Sequence, residues 1–168
     1  MKRAYAEAEA EAKEEFAELR YNPVFIAGMM LYWGEGDRRT TSITSLSNSD
    51  PELMRFYVFF LRNVCQIPIE RIRAHILLYP DLEEMVCRAY WSKRSELPWE
   101  NFTKTTRISG RHPKRRLTWG VCTVNVSSTY FKRKIQIWLK LLPEELMNKA
   151  YYENIHSVAG EKLDAAMV

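Results

Sequence analysis

Glu35 stands between Gly34 and Gly36, directly after the run Phe25-Ile26-Ala27-Gly28-Met29-Met30-Leu31-Tyr32-Trp33, in which every residue is apolar, aromatic or glycine. Such a run reads as a helix, which puts the carboxylate at its C-terminal end. The aligned peptides there carry partial negative charge and disfavour an anion by about 0.3–1 kcal/mol. A divalent cation or a basic partner would offset that cost, so Glu35 is the first candidate for chemistry. The plainer alternative is a core helix closed by a glycine cap.

The helix that must position Glu35 has no polar side, and this pattern predicts burial all round. Ala27 and Gly34 are two turns apart and share a face on which a second helix could come close. Asn22 is placed to cap the start, with Pro23 at the first helical position. Ahead of it, residues 2–20 are rich in Ala, Glu, Lys and Arg with few apolar anchors, which predicts an exposed helix or linker.

Beyond Glu35, Asp37-Arg38-Arg39 forms a short basic turn. Alternating residues predict strands at Thr40–Leu46 and Arg71–Leu78, then at Phe102–Ser109 and Leu117–Ser127 around a basic loop, 110–116. Ser49 or Asp50 caps a helix to about Val64 whose aromatics, Phe56, Tyr57, Phe59 and Phe60, read as core. A further helix covers Asp81–Glu96, and Tyr90 and Trp91 on it read as core. Ser127 or Ser128 opens an amphipathic helix through Leu142 that Pro143 stops, and a shorter helix follows near Glu144–Ser157. His75, alone on a strand, reads as a surface or core residue rather than a ligand.

The 168 residues form one domain, with 22–143 as its body, 1–21 as the exposed leading segment and 144–168 as a terminal helix and tail. A chain of this length buries roughly 70% of its unfolded surface, so neither metal nor disulfide is needed to hold it. No apolar run approaches the roughly 18 residues that span a bilayer, so no membrane role is expected. Cys65, Cys87 and Cys122 are odd in number and set among apolar neighbours. They read as reduced core thiols of a cytoplasmic protein.

Net charge is only +4, but it is unevenly placed. Between Asn101 and Pro143 there is no Asp or Glu, while the same span holds ten Lys or Arg: Lys104, Arg107, Arg111, Lys114, Arg115, Arg116, Lys132, Arg133, Lys134 and Lys140. That asymmetry is the footprint of a surface that meets a polyanion.

The segment from Phe25 to Gly36 resembles the signature helix of the LAGLIDADG homing endonucleases, which packs against a second copy and ends in an acid followed by glycine. Gly34-Glu35-Gly36 matches that ending; Met30 stands where the family has a small residue, and Trp33 replaces an acid. Ser47-Asn48-Ser49-Asp50-Pro51 and Tyr90-Trp91-Ser92 are similar to a bacterial branch of the family, over roughly residues 23–142. The resemblance implies an α+β fold in which a saddle of antiparallel strands, flanked by helices, lies in the DNA major groove.

Read through that resemblance, Arg71, Arg73, Arg107 and Asn125 are expected at base edges, and Lys114, Arg115 and Arg116 at phosphates. Arg38, Arg39, Ser47, Asn48 and Arg111 complete the expected DNA-binding set. Phosphodiester hydrolysis calls for carboxylate-held Mg²⁺ (or Mn²⁺) and a metal-activated water. One Glu per chain is a poor metal site, whereas two copies at a dyad, with scissile phosphates, make a workable one. A single signature therefore implies a homodimer packed through Ala27, Met30, Leu31 and Gly34. Lys104 is the expected organiser of the attacking water. The rival readings are a DNA-binding regulator of the same fold without cleavage, and a protein-interaction domain with a basic face.

Overall fold

A computed structural model describes residues 2–103, 105–108 and 117–148. In chain order the elements are α1 (Lys2–Leu19), α2 (Pro23–Glu35), β1 (Ile43–Asn48), α3 (Pro51–Asn63), β2 (Ile72–Leu78), α4 (Glu84–Ser95), β3 (Thr106–Arg107), β4 (Val121–Ser127) and α5 (Thr129–Leu146). The architecture is α+β: among the described residues, five helices and one four-stranded mixed sheet in the order β1-β4-β2-β3.

The caps form where the sequence predicts them. Asn22 Oδ1 accepts from the Val24 and Phe25 amides, Asp50 Oδ1 from those of Glu52 and Leu53, and Ser128 Oγ from that of Phe131. Each satisfies amides that have no partner inside their own helix.

Alternation on the strands separates two faces. Leu46, Ile72, Ala74, Ile76, Leu78, Cys122, Val124 and Val126 point into the core, where they meet Met29, Tyr32, Met54, Tyr57, Phe60 and Trp138 from the helices. Trp91 is fully buried and donates from Nε1 to the Trp119 carbonyl at 2.8 Å, while Tyr90 stacks on Trp119. Gly28 lets α2 pack tightly on α3: a Cβ there would lie 2.3 Å from the Phe60 ring.

Five expectations need correction. α1 is no exposed linker: Ala8, Ala12 and Phe16 are buried, and Trp138 of α5 donates to the Ala12 carbonyl at 2.8 Å. Their i, i+4 spacing makes a narrow apolar stripe, which suffices because α5 offers Trp138 opposite it. α2 is not buried all round either. Phe25, Gly28, Met29 and Tyr32 face inward, but Ala27, Trp33 and Gly34 are exposed.

The sheet is mixed rather than antiparallel. β1–β4 and β4–β2 are antiparallel, whereas β3 runs parallel to β2, because α4 carries the chain back across before β3 begins. The strand expected over 102–109 shrinks to Thr106–Arg107 and a single bridge between Ala74 and Phe102. Finally, α5 runs through Pro143 to Leu146. So near the helix end, the missing N–H removes one internal bond without stopping the helix, and the Pro143 carbonyl still accepts from Met147. The rest of the helix expected to Ser157 lies outside the described residues.

Candidate nucleic-acid interface

The outer face of the sheet is polar and arranged in rows. Antiparallel register sets Ser45, Asn125 and Arg73 side by side, and next to them Ser47, Thr123 and His75. Residues directly opposite are close enough to act as one surface, and Ser47 Oγ lies 2.7 Å from Thr123 Oγ1. Arg73 and Ser47 are exposed, Ser45, His75 and Asn125 half-buried. Hydroxyl, amide and guanidinium groups on a strand surface are donors and acceptors suited to base edges in a major groove.

At the β1 edge this face runs into an open cleft of about 930 Å³ lined by Glu35, Gly36, Asp37, Arg38, Arg39, Thr40, Ser45 and Ser47. The chain enters it from α2 by laying its next residues against β1: Gly36 bridges to Leu46, and the Asp37 amide donates to the Ser45 carbonyl at 2.8 Å. Gly36 is required there, since a Cβ would sit 2.4 Å from the Tyr32 carbonyl oxygen. Gly34 differs: among the described residues a Cβ at that position would meet nothing within 4 Å, so they give no reason for a helical glycine.

Glu35 is exposed on the cleft rim, and among the described residues its carboxylate has no partner. Asp37 is engaged: Oδ1 accepts from the Arg39 amide at 2.8 Å, and that bond first among several holds its carboxyl below the ordinary range. The Asp37 carbonyl accepts from Tyr32 Oη at 2.6 Å and from Lys132 Nζ. Lys132, only 1% exposed, also donates to Tyr32 Oη at 2.7 Å. Burial lowers its pKa, with the Asp37 charge acting the other way, and burial raises that of Tyr32.

In the sequence Lys132 reads only as one charge in an acid-free span. The signal for it is its place on α5, one residue from buried Phe131 and three from buried Ile135, on the flank of the apolar stripe rather than opposite it. A lysine on that flank reaches inward only if carbonyl or hydroxyl acceptors meet it.

Of the expected site residues, Glu35, Arg38, Arg39 and Ser47 come together in the cleft, and Arg73 and Asn125 share one row of the sheet. Three are placed otherwise. Arg71 is exposed but ends a 3-10 turn, Ile69–Arg71, ahead of β2. The Asn48 side chain accepts from the Asp50 amide at 3.0 Å and shapes the turn into α3. Arg107 turns Nη1 onto the carbonyls of Tyr79, Pro80 and Leu82 at 3.0–3.4 Å, fixing the turn after β2. Lys104, Arg111, Lys114, Arg115 and Arg116 lie outside the described residues. Ala27 and Gly34 are exposed, with Met30 and Leu31 half-buried between them, so the expected dimer face is open and apolar.

Among the described residues of one chain the donors do not make a Mg²⁺ site. Glu35 offers one unengaged carboxylate and Asp37 is taken up by its own turn; among the described residues no three His, Cys, Asp or Glu gather into a metal-ion group. No described helix is long and apolar enough to cross a membrane. Comparison with protein-family models, with curated proteins and with solved structures finds no match.

His75 gives the face a pH signature. Partial burial lowers its pKa below the ordinary 6.5. Across the interval between the two values the unfolded chain binds more protons, so stability rises with pH there and is lost on acidification. Urea midpoints measured from pH 7 downward should fall, and His75→Gln should flatten that slope. An identical slope in the variant would mean that other groups carry the acid sensitivity.

Proposed function

We propose that the chain is a homodimeric, LAGLIDADG-like DNA endonuclease that reads a long, near-palindromic duplex with the outer face of its sheet and cuts it at the dyad. The observation that carries this reading is the open apolar face of α2, which ends in an unengaged Glu35 on the rim of a cleft that also presents Arg38 and Arg39 and is continuous with that polar sheet face. A helical glycine costs about 1 kcal/mol relative to alanine. Among the described residues Gly34 has no reason for it, whereas the close approach of a second helix supplies one. Two copies of α2 in contact would bring two Glu35 carboxylates to one place.

In this reading Arg73 and Asn125 contact base edges, Ser45 and Ser47 add hydroxyls, with buried Thr123 holding Ser47, and Arg38 and Arg39 hold phosphates beside the cleft. The two Glu35 carboxylates would hold Mg²⁺ or Mn²⁺, which when bound supplies an activated water and stabilises charge on the scissile phosphate. Lys132 and Tyr32 act from behind: by fixing the Asp37 carbonyl they hold the turn on which Arg38 and Arg39 stand. Lys104 remains the proposed organiser of the water. Such an enzyme works where duplex DNA is found, which makes the cytoplasm its expected location.

One observation favours the second reading, a DNA-binding regulator that does not cut. A cation is needed to offset the negative end of α2, and Lys132 already stands at that end. Glu35 can then persist without a metal.

The two readings part in a cleavage selection with Mg²⁺ or Mn²⁺ on a library containing the chain's genomic neighbourhood. The nuclease gives discrete double-strand cuts, and Glu35→Gln lowers their rate at least about a hundredfold, equivalent to about 2.7 kcal/mol of transition-state stabilisation. Enriched, salt-sensitive binding without cuts establishes the regulator. Failure to retain specific duplex at salt that releases random DNA would sink both.

A further inference from the structure

A second hollow, of about 520 Å³, lies between α2 and α5. Arg38, Lys132, Arg133 and Lys140 line it with Gln136 and the indole of Trp33, which is 39% exposed. Among the described lining residues there is no carboxylate. Among the described residues these four cations make a single ion pair, Arg133 with Glu9 at 3.3 Å. Lys132 uses two N–H bonds on Tyr32 Oη and the Asp37 carbonyl, which leaves a third without a described partner. Like charges gathered in one hollow repel one another, and burial already works against the charge on Lys132. An entering anion would relieve both.

We propose that this hollow is a phosphate-binding site that takes the phosphate of a nucleotide unit, with its base or sugar against the Trp33 indole. Guanidinium and ammonium donors converging from α5 and from the turn after α2 suit phosphate oxygens, and an exposed indole beside them suits a planar base. Free nucleotide and a DNA strand share this chemistry. Arg38 lines both this hollow and the Glu35 cleft, so a strand crossing the cleft would bring its next phosphates here. The strand as source rests on the function proposed above; the phosphate site does not.

The test uses the full chain without metal, titrated calorimetrically with inorganic phosphate, adenosine monophosphate and a short duplex, while NMR follows the lysine side-chain signals. Phosphate and adenosine monophosphate are expected to saturate and shift the Lys132 signal. Gln136→Glu and Lys140→Glu are each expected to weaken both at least tenfold. Lys140 is exposed, so its variant keeps the fold even where a charge at half-buried Gln136 perturbs it. Trp33→Ala should weaken adenosine monophosphate at least threefold and leave inorganic phosphate unchanged. Displacement of adenosine monophosphate by the duplex supports the strand as source; binding without displacement supports the free nucleotide.

No saturable binding of either small anion, or binding indifferent to both charge variants, overturns the site. Trp33→Ala without effect on adenosine monophosphate overturns the nucleotide part. None of these readouts involves cleavage, Glu35 or dimerisation, so failure of the nuclease reading leaves them intact.

Discussion

Deleting residues 2–19 should leave the remaining chain without a cooperatively folded core. α1 reads like an appendage, yet its Phe16 ring meets Phe25 of α2 edge-on at 6.2 Å, and Phe25 meets Trp138 of α5 at 5.4 Å. The deletion removes Phe16 and uncovers parts of two more large rings. A fully buried ring of this kind is worth about 1.5–3 kcal/mol against exposure, so the loss reaches about 5 kcal/mol or more. Domains have only about 5–15 kcal/mol in total.

Polar losses add to it. Trp138 Nε1 loses the Ala12 carbonyl, and Lys134, 8% exposed, loses Glu11 at 3.1 Å and Glu15 at 2.6 Å. These ion pairs contribute less than the rings, because deletion also returns Lys134 to water, and partly exposed pairs are worth about 1 kcal/mol or less. Near-UV circular dichroism and urea unfolding of the shortened chain provide the measurement. Phe16→Ala in the full chain should cost about 3 kcal/mol. A sharp transition at an unchanged urea midpoint in the shortened chain would return α1 to the status of a linker.

The docking of α1 shows what the sequence exposes and what it conceals. Caps and strand alternation are local: Asn22, Asp50 and Ser128 act within three residues of themselves, and the inward residues of β2 and β4 follow a strict period of two. Both were legible. The docking of α1 depends on Trp138, over a hundred residues away, and no pattern inside residues 2–20 discloses it. The parallel placement of β3 likewise follows from where α4 lets the chain return.

The candidate site divides the same way. Glu35, Arg38 and Arg39 are neighbours in sequence and stay neighbours in the cleft; Arg73 and Asn125 meet only through register. Arg107 was an equally good candidate by residue type, but three carbonyls of the turn after β2 take up one end of its guanidinium. The sequence required a cation near the end of α2 and left open which. Lys132 answers from α5 through the Asp37 carbonyl, and the Glu35 carboxylate stays unengaged among the described residues.

That unengaged carboxylate makes the proposed dimer the decisive point, and Ala27→Arg with Gly34→Arg should abolish it. Both positions are exposed in the single chain, and among the described residues a side chain at Gly34 meets nothing within 4 Å of its first carbon. The fold of each chain should therefore survive, with Gly34→Arg even gaining a few tenths of a kcal/mol of helix propensity. Two-fold symmetry places the same patch of both copies face to face, so four guanidinium groups would be forced together where two apolar faces met. Juxtaposed like charges cost several kcal/mol. Association should weaken at least about a hundredfold, about 2.7 kcal/mol.

Sedimentation velocity of wild type and variant decides the matter together with DNA cleavage. Loss of the dimer and of cutting, with Glu35 untouched and urea stability retained, would show that the chemistry needs two chains. A variant that dimerises as wild type does would place the interface elsewhere on the molecule. Its two Glu35 carboxylates would then have no reason to meet, and the metal-dependent reading would fall while the polar sheet face kept its claim on DNA.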